Sequence, residues 1–178
     1  MTAIALDAMG GDDAPRATVE GALEAAAAGV EVVLVGDSEV LGRELNRLGV
    51  RGGGAQANVR IVHAPDQVAM GDHAAREVRR QRETSLYVGM ELVKSGDASA
   101  LVSMGNTGAA MATALVVLGR LKGVERPALG AVIPAGDGQV LFFADLSVLS
   151  WQEMTAAVAF MPTRKPAEIR PEAAALVL

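Results

Sequence analysis

Apolar residues in this chain alternate between short runs and longer segments in which they recur every three or four positions. Short apolar runs are typical of buried strands, and the longer periodicity is typical of helices that cover a sheet. Six strands are predicted, at residues 3–7, 31–36, 59–63, 101–103, 129–133 and 140–144. Helices are predicted between them, at residues 13–28, 38–48, 74–81, 85–94 and 109–118. This order predicts an α/β fold with a mostly parallel, twisted sheet and helices on both faces.

The pattern weakens after residue 145. Residues 151–161 fit a helix, but Pro162, Pro166 and Pro171 oppose regular structure beyond it. The sequence therefore predicts an α/β region over residues 1–145 and a divergent, poorly ordered tail over residues 146–178.

Composition excludes several classes of function. The 178 residues carry a net charge of −5, which argues against a nucleic acid as the partner. No apolar run reaches about 18 residues and the first residues lack a basic segment, so neither a transmembrane helix nor a signal peptide is predicted. The absence of cysteine excludes disulfides and suits a cytoplasmic location. Two histidines without cysteine give no standard metal-ligand spacing, so no metal site is predicted.

Three motifs follow predicted strands, at the edge where open parallel sheets bind ligands. The first is LDAMGGDDAP at residues 6–15, where a strand ends at Asp7 and a helix follows. Gly10 and Gly11 allow a tight turn and a close approach of the backbone to a ligand. The alternative is a plain glycine turn in which Asp13 caps the helix, with Pro15 in its first turn.

The second motif is SMGNTGAAMATA at residues 103–114, a strand end, a Gly-Asn-Thr-Gly turn and an apolar helix. Free backbone N–H groups at the start of a helix form a natural anion site. The turn lacks the GK[ST] ending of a Walker loop and the GxGxxG spacing, and no GxSxG elbow occurs in the chain. The alternative is a turn between strand and helix in which Thr107 is the N-cap.

The third motif, at residues 63–85, contains His73 between Asp72 and a cluster of arginines. An imidazole beside a carboxylate and guanidinium groups is suited to act as acid, base or phosphate ligand. A lone histidine is more often structural, and His63 at a strand end is the weaker candidate. Four arginines lie within seven residues, at positions 76, 79, 80 and 82. They form either a solvated helix face or a patch that faces phosphate, an acidic carrier protein or anionic lipid.

Taken together, the motifs resemble those of the phosphate acyltransferases, also called acyl-ACP:phosphate acyltransferases. The resemblance covers residues 2–145 and rests on IALDAMGGDDAP, IVHAP, MGDHAAREVRR and VSMGNTGAAMATALVVLGRLKGVERPAL, in that order. It implies a fold similar to isopropylmalate-dehydrogenase-like and phosphotransacetylase-like proteins. It also implies transfer of a long acyl chain from acyl carrier protein to inorganic phosphate, giving the acyl donor to glycerol 3-phosphate. Members are dimers, soluble or loosely membrane-associated, and no organic cofactor is expected.

The resemblance also suggests roles for individual residues. It places the phosphate and the developing oxyanion at Gly105, Asn106, Thr107 and Gly108. It gives His73 proton handling or phosphate contact, with Arg79 and Arg80 as phosphate or carrier contacts. The opposite wall of the site would be formed by Asp7, Gly10 and Gly11.

The chain departs from the family pattern in two places. Gly71 and Ala74 stand where the family usually has an acid and a proline. After Asp145, LSVLSWQEM replaces a DVGAN-like segment, and the later DGFVGN-type motif is absent. The expectation is an incomplete fold, without the half that supplies the other side of the cleft, and with little or no activity alone. Three alternatives stay open: a phosphotransacetylase-like enzyme acting on short acyl-CoA, a non-catalytic module that binds carrier protein or membrane, and a gene fragment that does not fold.

Overall fold

The computed structural model describes residues 3–50, 58–68, 81–120, 129–135 and 138–144. Four parallel strands form one sheet, and they are β1 (Ile4–Asp7), β2 (Val32–Gly36), β3 (Val59–His63) and β4 (Ala100–Val102). Their order across the sheet is β3-β2-β1-β4. The described helices are α1 (Arg16–Ala27), α2 (Ser38–Arg47), α3 (Ser85–Ser95) and α4 (Thr107–Val117). The predicted α/β fold is thereby confirmed.

Each face of the sheet is covered by its own pair of helices. Val32 and Leu34 of β2 belong to one buried cluster with residues of α1 and α2. Val33 and Val35, which alternate with them, belong to a second cluster with residues of α3 and α4. All five residues of β2 are therefore buried, as expected for a strand of a parallel sheet covered on both faces.

Two further strands, β5 (Leu129–Ala135) and β6 (Gly138–Ala144), form a separate two-stranded sheet. They belong to the second compact unit of the chain, residues 120–173, and are described by themselves. Both strands were predicted, but they pair antiparallel, from Leu129 opposite Ala144 to Ala135 opposite Gly138. Only two residues separate them, and parallel strands would need a crossover of about a dozen residues or more.

Some predicted elements lie outside the described residues. These are the helix at residues 74–81, the helix at residues 151–161 and the tail over residues 146–178. The division at residue 145 therefore stays a prediction. Within the described ranges, no helix has both the length and the apolar character required to cross a membrane.

The predicted cap of α1 is wrong. The N-cap residue is Pro15, which makes no side-chain capping hydrogen bond. Asp13 contributes its backbone carbonyl instead, which accepts from the amide of Ala17 at 3.0 Å. The helix begins three residues later than predicted because residues 11–15 form a turn. At the end of α3, Gly96 is the C-cap, with a left-handed φ of 85°.

A side-chain cap does begin α2. Asp37 accepts from the amides of Glu39 and Val40 at 2.9 and 3.0 Å. These hydrogen bonds, chiefly the one from Val40, hold the pKa of the Asp37 carboxyl below its usual value. A carboxyl whose pKa is lower in the folded chain stabilises the fold above its unfolded pKa, and this stabilisation is lost as pH falls through the folded pKa.

We therefore expect Asp37→Asn to be less stable than the wild type at neutral pH and equally stable in strong acid. Asparagine is itself a good N-cap, so this variant removes the charge and keeps the hydrogen-bonding shape. Denaturant unfolding from about pH 7 to about pH 2 measures the difference. Hydrogen bonds from Arg16 and Arg47 also lower the pKa of Glu20, but that contribution is common to both proteins and cancels. A difference in the free energy of unfolding between the two proteins that is the same at all pH values would contradict the prediction.

Candidate anion-binding site

The candidate site lies where the connections from β1 and β4 leave the sheet in opposite directions. β1 is flanked by β2 on one side and β4 on the other. The loop after β1 leads to α1 on one face, and the loop after β4 leads to α4 on the other. A crevice forms at such a switch point, and open α/β sheets bind their ligands there.

The two loops touch at a pair of glycines. A Cβ atom on Gly10 would lie 3.0 Å from the Gly105 amide nitrogen and 2.5 Å from Asp7 Oδ2. A Cβ atom on Gly105 would lie 3.2 Å from the Cα atom of Gly10. Gly11 has a φ of 107° and packs against Met104, whose side chain is 60% exposed. The first two motifs are therefore brought together, and the contact between them requires glycine on both sides.

A buried polar pair lies beneath this contact. Asp7 and Ser103 are each only 2% exposed. The Ser103 hydroxyl donates to Asp7 Oδ2 at 2.7 Å, and the Met9 amide donates to Asp7 Oδ1 at 3.2 Å. The Asp7 carboxylate thus lies below the loops with both oxygens engaged by donors of the chain itself.

At the start of α4, some backbone amides donate hydrogen bonds within the chain and others do not. The Gly105 amide donates to Ser103 Oγ at 3.1 Å, and the Ala109 amide donates to Asn106 Oδ1 at 3.0 Å. Asn106, not Thr107, is therefore the N-cap of the helix. The amides of Thr107 and Gly108 donate to no acceptor within the described part of the chain. These two N–H groups, at the positive end of the helix dipole, are the donors available to an anion.

The structure brings seven of the predicted site residues to this place: Asp7, Gly10, Gly11, Gly105, Asn106, Thr107 and Gly108. His73, Arg79 and Arg80 lie outside the described residues, so their roles stay predictions. His63 ends the edge strand β3, two strands away from β1, and its Nδ1 accepts from the Ser38 amide at 3.2 Å.

Ser103 belongs to the site but is not among the residues predicted for it from the sequence. Its only signal in the sequence is a polar side chain at the end of an apolar strand. The register supplies the reason: Leu6 lies opposite Val102, so Asp7 and Ser103, the residues that follow them, come within hydrogen-bonding distance.

The family described as "Fatty acid synthesis protein" matches residues 2–149 of the chain. The chain is 53% identical over 136 residues to a protein of Thermus thermophilus named phosphate acyltransferase, covering 76% of this chain and 39% of that protein. Proteins with the same name from Pelotomaculum thermopropionicum and Geobacter sulfurreducens are 51% and 47% identical, over 76% and 78% of this chain and 38% and 39% of their own lengths. The chain therefore spans about two fifths of the length of the curated relatives it matches.

Proposed function

We propose, from the premise that this chain belongs to the fatty acid synthesis protein family, that it forms the phosphate-holding side of an acyltransferase site. The reaction is transfer of a long-chain fatty acyl group from acyl carrier protein to inorganic phosphate. One observation carries the proposal: the available amides of Thr107 and Gly108 lie at a switch point of the sheet, beside the contact between two glycine loops. The names of the relatives support the reaction class.

The chemistry requires a fixed phosphate and donors near the reacting carbonyl. A phosphate oxygen attacks the thioester carbon, forming a C–O bond. The C–S bond then breaks, and the carrier thiolate leaves and takes up a proton. Amides aimed at the phosphate hold the nucleophile in place, and fixed donors stabilise the charge that develops on the carbonyl oxygen.

The described residues divide this work between them. The amides of Thr107 and Gly108, with the Thr107 hydroxyl, hold the phosphate. Asn106 fixes the first turn of α4 by capping Ala109. Gly10 and Gly105 allow the loops to approach each other without side chains between them. We propose that His73 handles a proton or contacts phosphate, and that Arg79 and Arg80 contact phosphate or carrier protein.

The partners that we propose are acyl carrier protein and inorganic phosphate, without an organic cofactor. A homodimer, a cytoplasmic location and peripheral membrane contact remain predictions that follow from the resemblance. The same holds for low activity of this chain by itself.

A chimera tests the proposal. Residues 2–149 of this chain replace the matching segment of the Thermus thermophilus relative, and acyl phosphate is measured with long-chain acyl carrier protein and phosphate. We expect Asn106→Ala and His73→Ala to lower the rate by about 10²-fold, because misplacement of the nucleophile by about 1 Å has an effect of that size. The matched controls are Asn46→Ala on the exposed surface of α2 and His63→Ala on β3, which should change the rate little.

Each other outcome has a defined meaning. Unchanged acyl transfer in both site variants would refute the assigned roles. Turnover of acetyl-CoA with phosphate, in place of acyl carrier protein, would favour a phosphotransacetylase-like enzyme. Salt-sensitive binding of carrier protein without turnover would favour a non-catalytic module. Acyl phosphate formed by the unmodified 178-residue chain would contradict its predicted low activity.

A further inference from the structure

The Ser103 hydroxyl joins three parts of the site. It donates to Asp7 at the end of β1, accepts from the Gly105 amide in the following turn, and belongs to the residue directly after β4. Asp7 and Ser103 are 96 residues apart in the chain, so this hydroxyl connects segments that are distant in sequence.

Among the described residues, both hydrogen-bond donors to the buried Asp7 side chain are neutral groups. Asp7 is 2% exposed, and its partners are the Ser103 hydroxyl and the Met9 amide. Within the described ranges, no arginine, lysine or histidine pairs with it. A buried polar group is costly unless it is hydrogen-bonded, and loss of the hydroxyl would leave Oδ2 without its donor.

The direction of the Gly105 amide depends on the same hydroxyl. Because Gly105 N–H points inward to Ser103 Oγ, it is withheld from any ligand. Further along, the amides of Thr107 and Gly108 donate to no acceptor within the described ranges. The Ser103 hydroxyl thus fixes the direction of the first amide of the Gly-Asn-Thr-Gly turn.

We propose that Ser103 is a positioning residue: its hydroxyl fastens the loop after β4 to Asp7, turns the Gly105 amide inward and so presents the Thr107 and Gly108 amides to the anion. For the identity of the anion, this inference rests on the proposed function. The connection among Ser103, Asp7 and Gly105 does not depend on it. Separate measurements of phosphate binding and of the Ser103–Gly105 hydrogen bond can therefore test the phosphate site and the positioning role independently.

The experiment uses the ¹⁵N-labelled 178-residue chain and inorganic phosphate. Hydrogen exchange of the Gly105 amide reports the internal bond, and chemical-shift changes of Thr107 and Gly108 report phosphate binding. In the wild type we expect a protected Gly105 amide that phosphate shifts little, together with phosphate-dependent shifts at Thr107 and Gly108. A Gly105 amide that is unprotected, or that responds to phosphate as strongly as Thr107, would overturn the proposal without any variant.

Variants then test the hydroxyl itself. Ser103→Ala should speed Gly105 exchange and weaken phosphate binding, each by about tenfold, since one net hydrogen bond contributes about that factor. The matched control is Thr113→Val, because Thr113 is also fully buried but its hydroxyl donates to Ala109 O within α4, at 2.7 Å. This control should leave the Gly105 exchange rate and the phosphate affinity unchanged, even if it lowers the global stability. Ser103→Thr keeps a hydroxyl and should restore both.

The outcomes separate the two proposals. If phosphate shifts neither Thr107 nor Gly108 while Ser103→Ala speeds Gly105 exchange, the phosphate site is refuted and the positioning role stands. If Ser103→Ala changes neither quantity, or Thr113→Val changes both equally, the positioning role is refuted and the phosphate site stands on the wild-type shifts alone.

Discussion

Replacement of Gly10 by alanine is expected to lower the free energy of unfolding by about 1–3 kcal/mol, the usual cost of overpacking a close contact. The new methyl group would lie 2.5 Å from Asp7 Oδ2 and 3.0 Å from the Gly105 nitrogen. The first of these atoms belongs to a buried side chain and the second to the backbone, so neither yields easily. To remove these close contacts, the two loops must move apart, which also disturbs the amides of Thr107 and Gly108.

The matched control is Gly21→Ala. Gly21 lies in the middle of α1 and is exposed to solvent, and a Cβ atom there would meet nothing within 4 Å. Alanine in an open helical position should raise stability by about 0.5–1 kcal/mol. Denaturant unfolding of both variants gives the comparison, and phosphate titration shows whether the site is lost. If Gly10→Ala proved as stable as Gly21→Ala, the close contact of the two loops would be wrong.

Replacement of Thr107 by proline is expected to weaken phosphate binding by about tenfold or more, because a hydrogen bond to a charged group contributes about 1.5–3 kcal/mol. Proline removes the N–H donor at the first position of α4 and keeps the helix, since this position tolerates proline well. Asn106, which precedes it, has φ −67° and ψ 109°, an extended conformation compatible with a following proline. The change therefore deletes a donor without disturbing the scaffold.

Thr107→Ala is the control that separates the amide from the hydroxyl. It removes the hydroxyl and keeps the N–H group, so the difference between the proline and alanine variants measures the amide alone. Chemical shifts of Gly108 give the phosphate affinity, and far-UV circular dichroism verifies that α4 persists. Equal affinities in the two variants would show that the Thr107 amide does not hold phosphate.

The periodicity of apolar residues predicted the described strands and helices well because it reports burial directly. Val32 to Gly36 form a fully buried strand, and the sequence indicates this without ambiguity. Periodicity does not reveal which strands are neighbours. The antiparallel pairing of β5 with β6 was missed for this reason, although the short separation between them carries that information.

In the candidate site, too, local features were predictable from the sequence, whereas contacts between distant segments were not. The glycines and the Gly-Asn-Thr-Gly turn were identified from local sequence, since their conformational needs are local. Asn106 and Thr107 are both good capping residues, so only the hydrogen bond from Ala109 decides between them. Asp13 was assigned as a cap because its residue type suits that role, but the turn before α1 delays the helix to Arg16. Ser103 acquires its role only from the pairing of β1 with β4.

The central position of β1 has a consequence for biosynthesis. This strand is synthesised before its neighbour β4, and Ser103 follows Asp7 by 96 residues. At about 5–20 residues per second, roughly 5–20 s pass before β4 can be added. During that interval β2 can pair with one side of β1, but the other side stays an open edge that is prone to non-native pairing. The contact between the loops after β1 and β4 is therefore completed late in translation, and the nascent chain is most in need of chaperone protection while β1 still lacks its second neighbour.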